Sequence, residues 1–378
     1  MIPSQRHMFD IPEEIAYLNC AYISPLSHDV LAAGEMGLRR KYHPWEILPK
    51  EFFPESEAAR GVFANMINAS AEDIAVVNAV SYGTAVAAAN LPLSAGQNIV
   101  LLEEQFPSNV FPWRRKADDC NGIVVTIPRP ADGDWTTAIL DSINDKTGIV
   151  ALPHCHWTDG GLIDLVAVGK RCREIGAALV IDATQSLGAL PFNVQSIQPD
   201  FMVAACYKWL LGPYSLGFMY AAPKWQQGRP LEEGWIQRGG SQHLSALVNY
   251  RDDYQPGARR YDMGQYINFA LMPVAKAALE MVSAWGVENI QETLRARTTG
   301  IAERALDLGL TSVDPSLRAG HYLGLNFPNG VPEGLADKLA EKNVFVSFRG
   351  AAMRVTPHLY NTDADVDKLI AVLEQELG

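Results

Sequence analysis

Two residues at the ends of apolar runs set the chemical question. In the stretch ALVIDATQSLGALPFNVQSIQPDFMVAACYKWLLGPYSLGFMY, Asp182 closes the run ALVIDA and Lys208 follows the run FMVAAC. A lysine amine can hold an aldehyde as an imine, and a carboxylate can keep a pyridine nitrogen protonated so that the ring accepts electrons. Either residue alone reads as an ordinary turn acid or a solvated strand-end amine. Together, at the ends of two buried runs, they point to a pyridoxal cofactor carried on Lys208 with Asp182 at its ring nitrogen.

The elements that must position this pair can be read from the apolar pattern. From about residue 55 to 220, short β-rich runs (IAVVNAV, NIVLLEE, GIVALPH, ALVIDA, FMVAAC, LGFMYA) alternate with helix-like or polar segments. That alternation predicts an α/β layer with a mostly parallel sheet. The near-continuous apolarity of ALVIDA and FMVAAC predicts strands covered by helices on both faces, with a ligand crevice at their C-terminal ends. A loop-rich stretch follows at about 224–260. Then FALMPVAKAALEMVSAWGVENIQETLRARTTGIAERAL reads as a long helix, HYLGLNF and NVFVSF as strands, and DADVDKLIAVLEQEL as a closing helix. The expected organisation is an N-terminal arm at 1–20 that contributes to the substrate site, a large cofactor-binding domain at 21–255, and a smaller C-terminal α+β domain at 256–378.

Upstream, NAV runs into SYGTAVAAANL, a polar turn opening a small-residue helix. Free N–H groups and the positive end of the helix dipole suit a phosphate there, with Ser81, Tyr82 and Gly83 as candidates.

The segments DATQSLG and YKWLLGP, with RVTPHLYNT near the end of the chain, resemble the class V aminotransferases, the fold-type I group of pyridoxal-phosphate enzymes that includes cysteine desulfurases and kynureninases. The resemblance spans nearly the whole chain. It implies pyridoxal 5'-phosphate as cofactor, a small amino acid as substrate, and a homodimer with shared active sites. It implies that Ser81 and Tyr82 hold the phosphate, Phe106 stacks on the ring, Gln185 bonds the phenolic oxygen, and Tyr207 borders the cofactor beside Lys208. Gln265, in the turn after Gly264, would reach the phosphate of the neighbouring subunit. Arg354 would take the substrate α-carboxylate in a guanidinium fork, with Arg349 as a helper, and Trp157 and Asn19 would face the substrate. Tyr22, Trp157 and Trp235 as pocket residues would suit an apolar or aromatic side chain.

The chain also departs from the desulfurase pattern. Phe106 stands where desulfurases commonly have His, Trp157 where they have Asn, Tyr207 where they have His, and Ala205 where a phosphate-binding Ser is common. No cysteine follows Cys206, so the nucleophile of a protein persulfide mechanism is missing. We therefore expect an aminotransferase. The alternatives are a β-eliminating C–S lyase or a kynureninase-like hydrolase without a protein persulfide, and, from another class, a non-catalytic binding protein on the same fold.

Composition narrows the field further. A formal net charge of −12 would repel a nucleic-acid backbone. No apolar run approaches the roughly 20 residues of a membrane span, and the start MIPSQRHMFDIPEE lacks a secretory apolar core, so a cytoplasmic enzyme without nucleic-acid or membrane partners is expected. The five scattered cysteines suggest neither disulfides nor a thiolate zinc site. His154 and His156 share one face of a strand but lack a third ligand, and no metal site is expected.

Overall fold

The computed structural model describes residues 1–377. The first part of the chain forms β1 (Ala16–Tyr17), α1 (His28–Arg39), α2 (Pro54–Met66), β2 (Ile74–Val77), α3 (Val80–Asn90), β3 (Asn98–Leu102), α4 (Phe111–Cys120) and β4 (Ile123–Ile127). Then come α5 (Trp135–Ser142), β5 (Thr147–Pro153), α6 (Leu165–Ile175), β6 (Ala178–Asp182), α7 (Val194–Ile197), β7 (Phe201–Ala205) and β8 (Gly217–Ala221). The last part contains α8 (Leu271–Trp285), α9 (Val287–Asp307), β9 (Leu323–Asn326), α10 (Leu335–Glu341), β10 (Val344–Phe345), β11 (Ser347–Arg349), β12 (Ala352–Val355) and α11 (Asp363–Leu377).

Seven strands make the central sheet in the order β2-β8-β7-β6-β5-β3-β4. All run parallel except β8, which is antiparallel to both neighbours. Successive strand residues point to opposite faces, and here each face has its own core. Leu179, Ile181, Met202 and Ala204 pack with α2, α5, α6 and α8 on one side. Ala178, Val180, Phe201 and Val203 pack with α3 and α4 on the other. This explains why β6 and β7 are uninterrupted apolar runs: both of their faces are buried. The α/β architecture expected from the alternation is the one observed.

Three local outcomes differ from the sequence expectation. The long helix predicted after residue 268 is two helices, because Gly286 adopts φ +78° between α8 and α9, a left-handed conformation that ends a helix and costs glycine little. The edge strand β4 lies in a stretch read only as polar, since its half-exposed pattern hides it. Finally, Arg354 lies within β12, the middle strand of a small antiparallel sheet ordered β11-β12-β9. The N-terminal segment joins this region: β1 pairs in parallel with β10, and Ala16 and Leu18 enter the core formed by α9, α11 and the C-terminal strands.

Candidate active site

The C-terminal ends of β2, β3, β5, β6 and β7 converge on a cavity of about 510 Å³, within the size range of small-ligand sites. Its wall gathers Ser81, Phe106, Trp157, Asp182, Gln185, Tyr207 and Lys208. These seven come from five segments, so the parallel sheet brings together residues far apart in sequence.

Lys208 is 6% exposed, and its Nζ lies 5.4 Å from the ring centres of both Phe106 and Tyr207. Burial pushes its pKa down to about 8; Asp182 opposes the shift, and Arg354 and Arg349 add to it. An amine with this basicity is partly neutral near pH 7–8 and can act as a nucleophile or proton carrier. Asp182 ends β6. Burial raises its pKa, against the Thr184 N–H, which donates to Oδ1 at 3.0 Å, and against the charge of Lys208. No Lys, Arg or His forms a salt bridge with Asp182 among the described residues, so the acid lacks the close cation that such burial calls for.

The start of α3 provides a second opening. Ala79 is the N-cap and supplies no side-chain acceptor, so the first N–H groups of the helix have no side-chain cap beside Ser81. Gly83 serves a different purpose from the one expected: a Cβ there would stand 2.5 Å from Val203 Cγ2, so this glycine allows α3 to lie against β7. Tyr82 packs between the two cores and is not on the cavity wall.

Gln185 is fixed by its surroundings. Its Oε1 accepts from Trp209 Nε1 at 3.1 Å and its Nε2 donates to Ala21 O at 3.2 Å, which leaves one amide N–H to offer to the cavity. Trp157 is pinned at both ends. Its Nε1 donates to Glu104 O at 2.6 Å, and its carbonyl accepts from Tyr322 Oη and from Arg354 Nη1. The Phe106 and Trp157 rings meet edge to face at 5.2 Å.

Arg354, 1% exposed, stands behind Trp157. Its Nε and Nη2 both donate to Ser347 Oγ, at 2.9 and 2.7 Å, and Ser347 Oγ in turn donates to Asn19 Oδ1 at 2.8 Å. The fork thus rests on a single hydroxyl, a contact a carboxylate can replace. Neither Arg354 nor Asn19 is on the cavity wall; Arg354 lies behind Trp157, and Asn19 reaches it only through Ser347. Gln265 is exposed in a turn with φ +57° and also lies outside the cavity of its own chain. Trp235 lies on the wall of a separate surface cavity among residues 233–252.

Several participants carry no signal in the sequence. Ser347, Tyr322 and Thr184 are reached only through the folded contacts above, and Tyr214, also on the cavity wall, meets Tyr207 with ring centres 4.6 Å apart and planes tilted by 56°. His321 Nε2 lies 2.6 Å from Gln185 O and steadies that segment from behind. The two histidines on one strand face are used apart: His156 stacks on Trp135 and bonds Thr158, while His154 meets the edge of Phe192. The five cysteines are free, and burial pushes the thiols of Cys20, Cys155 and Cys206 upward and that of Cys172 to about 12.

The cavity therefore fits a pyridine ring bearing an aldehyde and a phosphate. A buried acid without a cation partner sits at one side, an uncapped helix start at another, an amine between two aromatic rings, and Gln185 with a spare donor.

Comparison with known proteins agrees. The family model described as Aminotransferase class-V matches residues 45–369. The uncharacterized aminotransferase YcbU of Bacillus subtilis (strain 168) is 26% identical over 321 residues, covering 84% of this chain and 82% of its own. A cysteine desulfurase of Pectobacterium atrosepticum is 25% identical, covering 96% of this chain and 93% of its own. Among solved structures, the apo cysteine desulfurase of Thermococcus onnurineus NA1 superposes with a TM-score of 0.85 at 20% identity, covering 100% and 99% of the two chains. The cystine C-S lyase C-DES in complex with cysteine persulfide gives 0.86 at 18%, covering 97% and 99%. At those identities the structures establish the fold, which is fold type I. The chain belongs to the class V aminotransferase family and is a pyridoxal-phosphate-dependent enzyme.

Proposed function

We propose that the enzyme is an aminotransferase acting on a small α-amino acid, with Lys208 as its catalytic lysine. Pyridoxal phosphate, when bound, supplies an electron sink beside the substrate Cα. In this reading Asp182 holds the protonated ring nitrogen, Phe106 fixes the ring plane, Ser81 and the first N–H groups of α3 take the phosphate, and Gln185 donates its spare N–H to the phenolic oxygen. Arg354 grips the α-carboxylate and so sets which Cα bond is broken. With its amine free, Lys208 Nζ would take the Cα proton. Its pKa, pushed down to about 8, favours both accepting and releasing that proton near neutrality.

One observation carries the choice of reaction. The cavity wall contains no His, Cys or Glu, and burial pushes the Tyr207 hydroxyl up to about 12. With Asp182 committed to the ring nitrogen, Lys208 is the one group suited to proton transfer near neutral pH. Transamination can be served by a single base, which moves one proton between two carbons and then assists the water that releases the oxo acid. Expelling from Cβ a group that must be protonated as it leaves calls for a further acid. The buried thiols, with their raised pKa values, likewise do not support a protein persulfide.

Elimination at Cβ is the second reading, favoured by the cysteine desulfurases among the relatives. A single turnover of cofactor-loaded protein with a panel of amino acids and no added oxo acid separates the two. Transamination yields one 2-oxo acid per site, with the cofactor recovered as pyridoxamine 5'-phosphate. Pyruvate, alanine or sulfide in repeated turnovers, with the cofactor recovered unchanged, overturns it. The proposal includes a homodimer in which exposed Gln265 reaches the phosphate of the second copy; a monomer by sedimentation at micromolar concentration removes that contact.

A further inference from the structure

We propose that the substrate carries a second carboxylate, taken by Arg349, so that the enzyme works on an α-amino dicarboxylate of aspartate or glutamate size. This rests on the site binding an amino acid with its α-carboxylate on Arg354.

Arg349 ends β11, and Arg354 lies on β12, paired so that Ser347 faces Arg354 and Arg349 faces Ala352. The two guanidinium carbons lie 5.6 and 5.7 Å from the centre of the same indole, that of Trp157. Two cations against one aromatic ring repel each other, and an anion close to both offsets that repulsion. Neither forms a salt bridge with a carboxylate among the described residues. The hydrogen bond of the Arg349 side chain is to the carbonyl of the preceding residue, Phe348, at 2.6 Å.

Several other arginines packed into this protein meet a carboxylate: Arg60 takes Asp262, Arg6 takes Asp365, Arg259 takes Glu57 and Arg129 takes Asp159. Arg260 and Arg318 do not, and give their N–H groups to carbonyls and an amide. Arg349 and Arg354 are the two without a carboxylate that lie against Trp157.

Arg349 lies on the wall of a neighbouring cavity of about 420 Å³, and Glu104, on the same wall, accepts from Nε1 of Trp157 on the active-site wall. The other charged groups on that wall are engaged: Arg129 pairs with Glu104 and Asp159, Asp314 accepts from Ser316, and Asp132 accepts from the Asp134 N–H. The wall as a whole carries four carboxylates against two arginines, so the place for a second carboxylate is at Arg349 beside Trp157 and not deeper among those acids.

The aromatic lining does not argue for an aromatic substrate. The Trp157 ring already meets the edge of Phe106 and both guanidinium groups. The closeness of both arginines also shows in their effect on Lys208, whose proton affinity each lowers.

The test uses unreactive acids on the cofactor-loaded enzyme, with dissociation constants measured by calorimetry. Succinate and glutarate are expected to bind at least about tenfold tighter than propionate and butyrate, the gain of one charge-assisted pair at a partly screened site. In Arg349→Gln that ratio is expected to fall below about threefold. Equal affinities in the wild type, or an unchanged ratio in the variant, overturn the proposal. The wild-type series decides the matter even if the variant does not fold. Since the acids do not react, the outcome is independent of the reaction type, which the single-turnover products test separately.

Discussion

Replacing Arg354 by Met tests how the substrate is held. In the free enzyme two N–H groups of the guanidinium rest on Ser347 Oγ, so binding exchanges a neutral acceptor for a carboxylate. The gain is the difference between a charged bidentate pair and a hydroxyl contact, about 3 kcal/mol, or about 150-fold in kcat/KM. The neighbours keep partners without the arginine: Ser347 Oγ still donates to Asn19 Oδ1, and Tyr322 Oη still donates to the Trp157 carbonyl. The stability cost should therefore stay near about 1–2 kcal/mol, and the variant should fold. The assay compares single-turnover kcat/KM for the responsive amino acid with that for the amine lacking its α-carboxyl group. The expected loss is about 100-fold or more for the amino acid and under about threefold for the amine. Equal losses on both substrates would show that Arg354 supports the fold and does not grip the carboxylate.

Lys208→Ala should fold yet form no borohydride-fixable bond to the cofactor, judged by mass spectrometry; a fixed adduct in the variant would refute the lysine assignment. Gly83→Ala should lower stability by about 1–3 kcal/mol, because its Cβ would meet Val203 Cγ2 at 2.5 Å, and the displaced start of α3 should also weaken cofactor binding; an unchanged melting temperature would count against this packing. Burial holds His154 and His358 near about 3 and His321 near about 4, against an ordinary 6.5. Each folded pKa lies below its unfolded value, so these histidines contribute stability above pH 6.5 that is lost as pH falls through the interval towards 4 and 3. At pH 5 they should make unfolding take up about three protons, a slope of about 4 kcal/mol per pH unit, offset in part by Asp182 and Asp262, whose carboxyls burial raises. Urea midpoints at several pH values would read this slope, and His358→Phe should lower it by about a third.

The parts of the site that lie at strand ends were legible because β5, β6 and β7 are buried on both faces, which leaves apolar runs that end in or close before a polar residue, as at Asp182 and Lys208. Ser81 was legible for a similar reason, as the polar residue opening a helix of small residues. The layer that holds Arg354 was not. Ser347, Tyr322 and Asn19 come from three segments joined by the parallel pairing of β1 with β10, a bridge between Asn19 and Thr356, and the antiparallel β11-β12-β9 sheet, and strands of two to four residues have too few positions to show a period. Gly83 illustrates a different limit. A glycine at a helix start suits either a close phosphate or a close strand, and only the Val203 side chain decides between them.

The two sheets divide the chemical work. The seven-stranded sheet brings Lys208, Asp182 and the Phe106 ring to one cavity, and the cores on its two faces hold those strand ends from both sides. The small sheet brings the guanidinium groups to the far side of Trp157, through contacts that do not involve Lys208. A substitution on β11 or β12 should therefore change which amino acid is bound while leaving the reaction type alone. A reaction that must protonate its leaving group would instead call for a second proton-transfer group on the cavity wall, where the chain presents the rings of Phe106 and Tyr207.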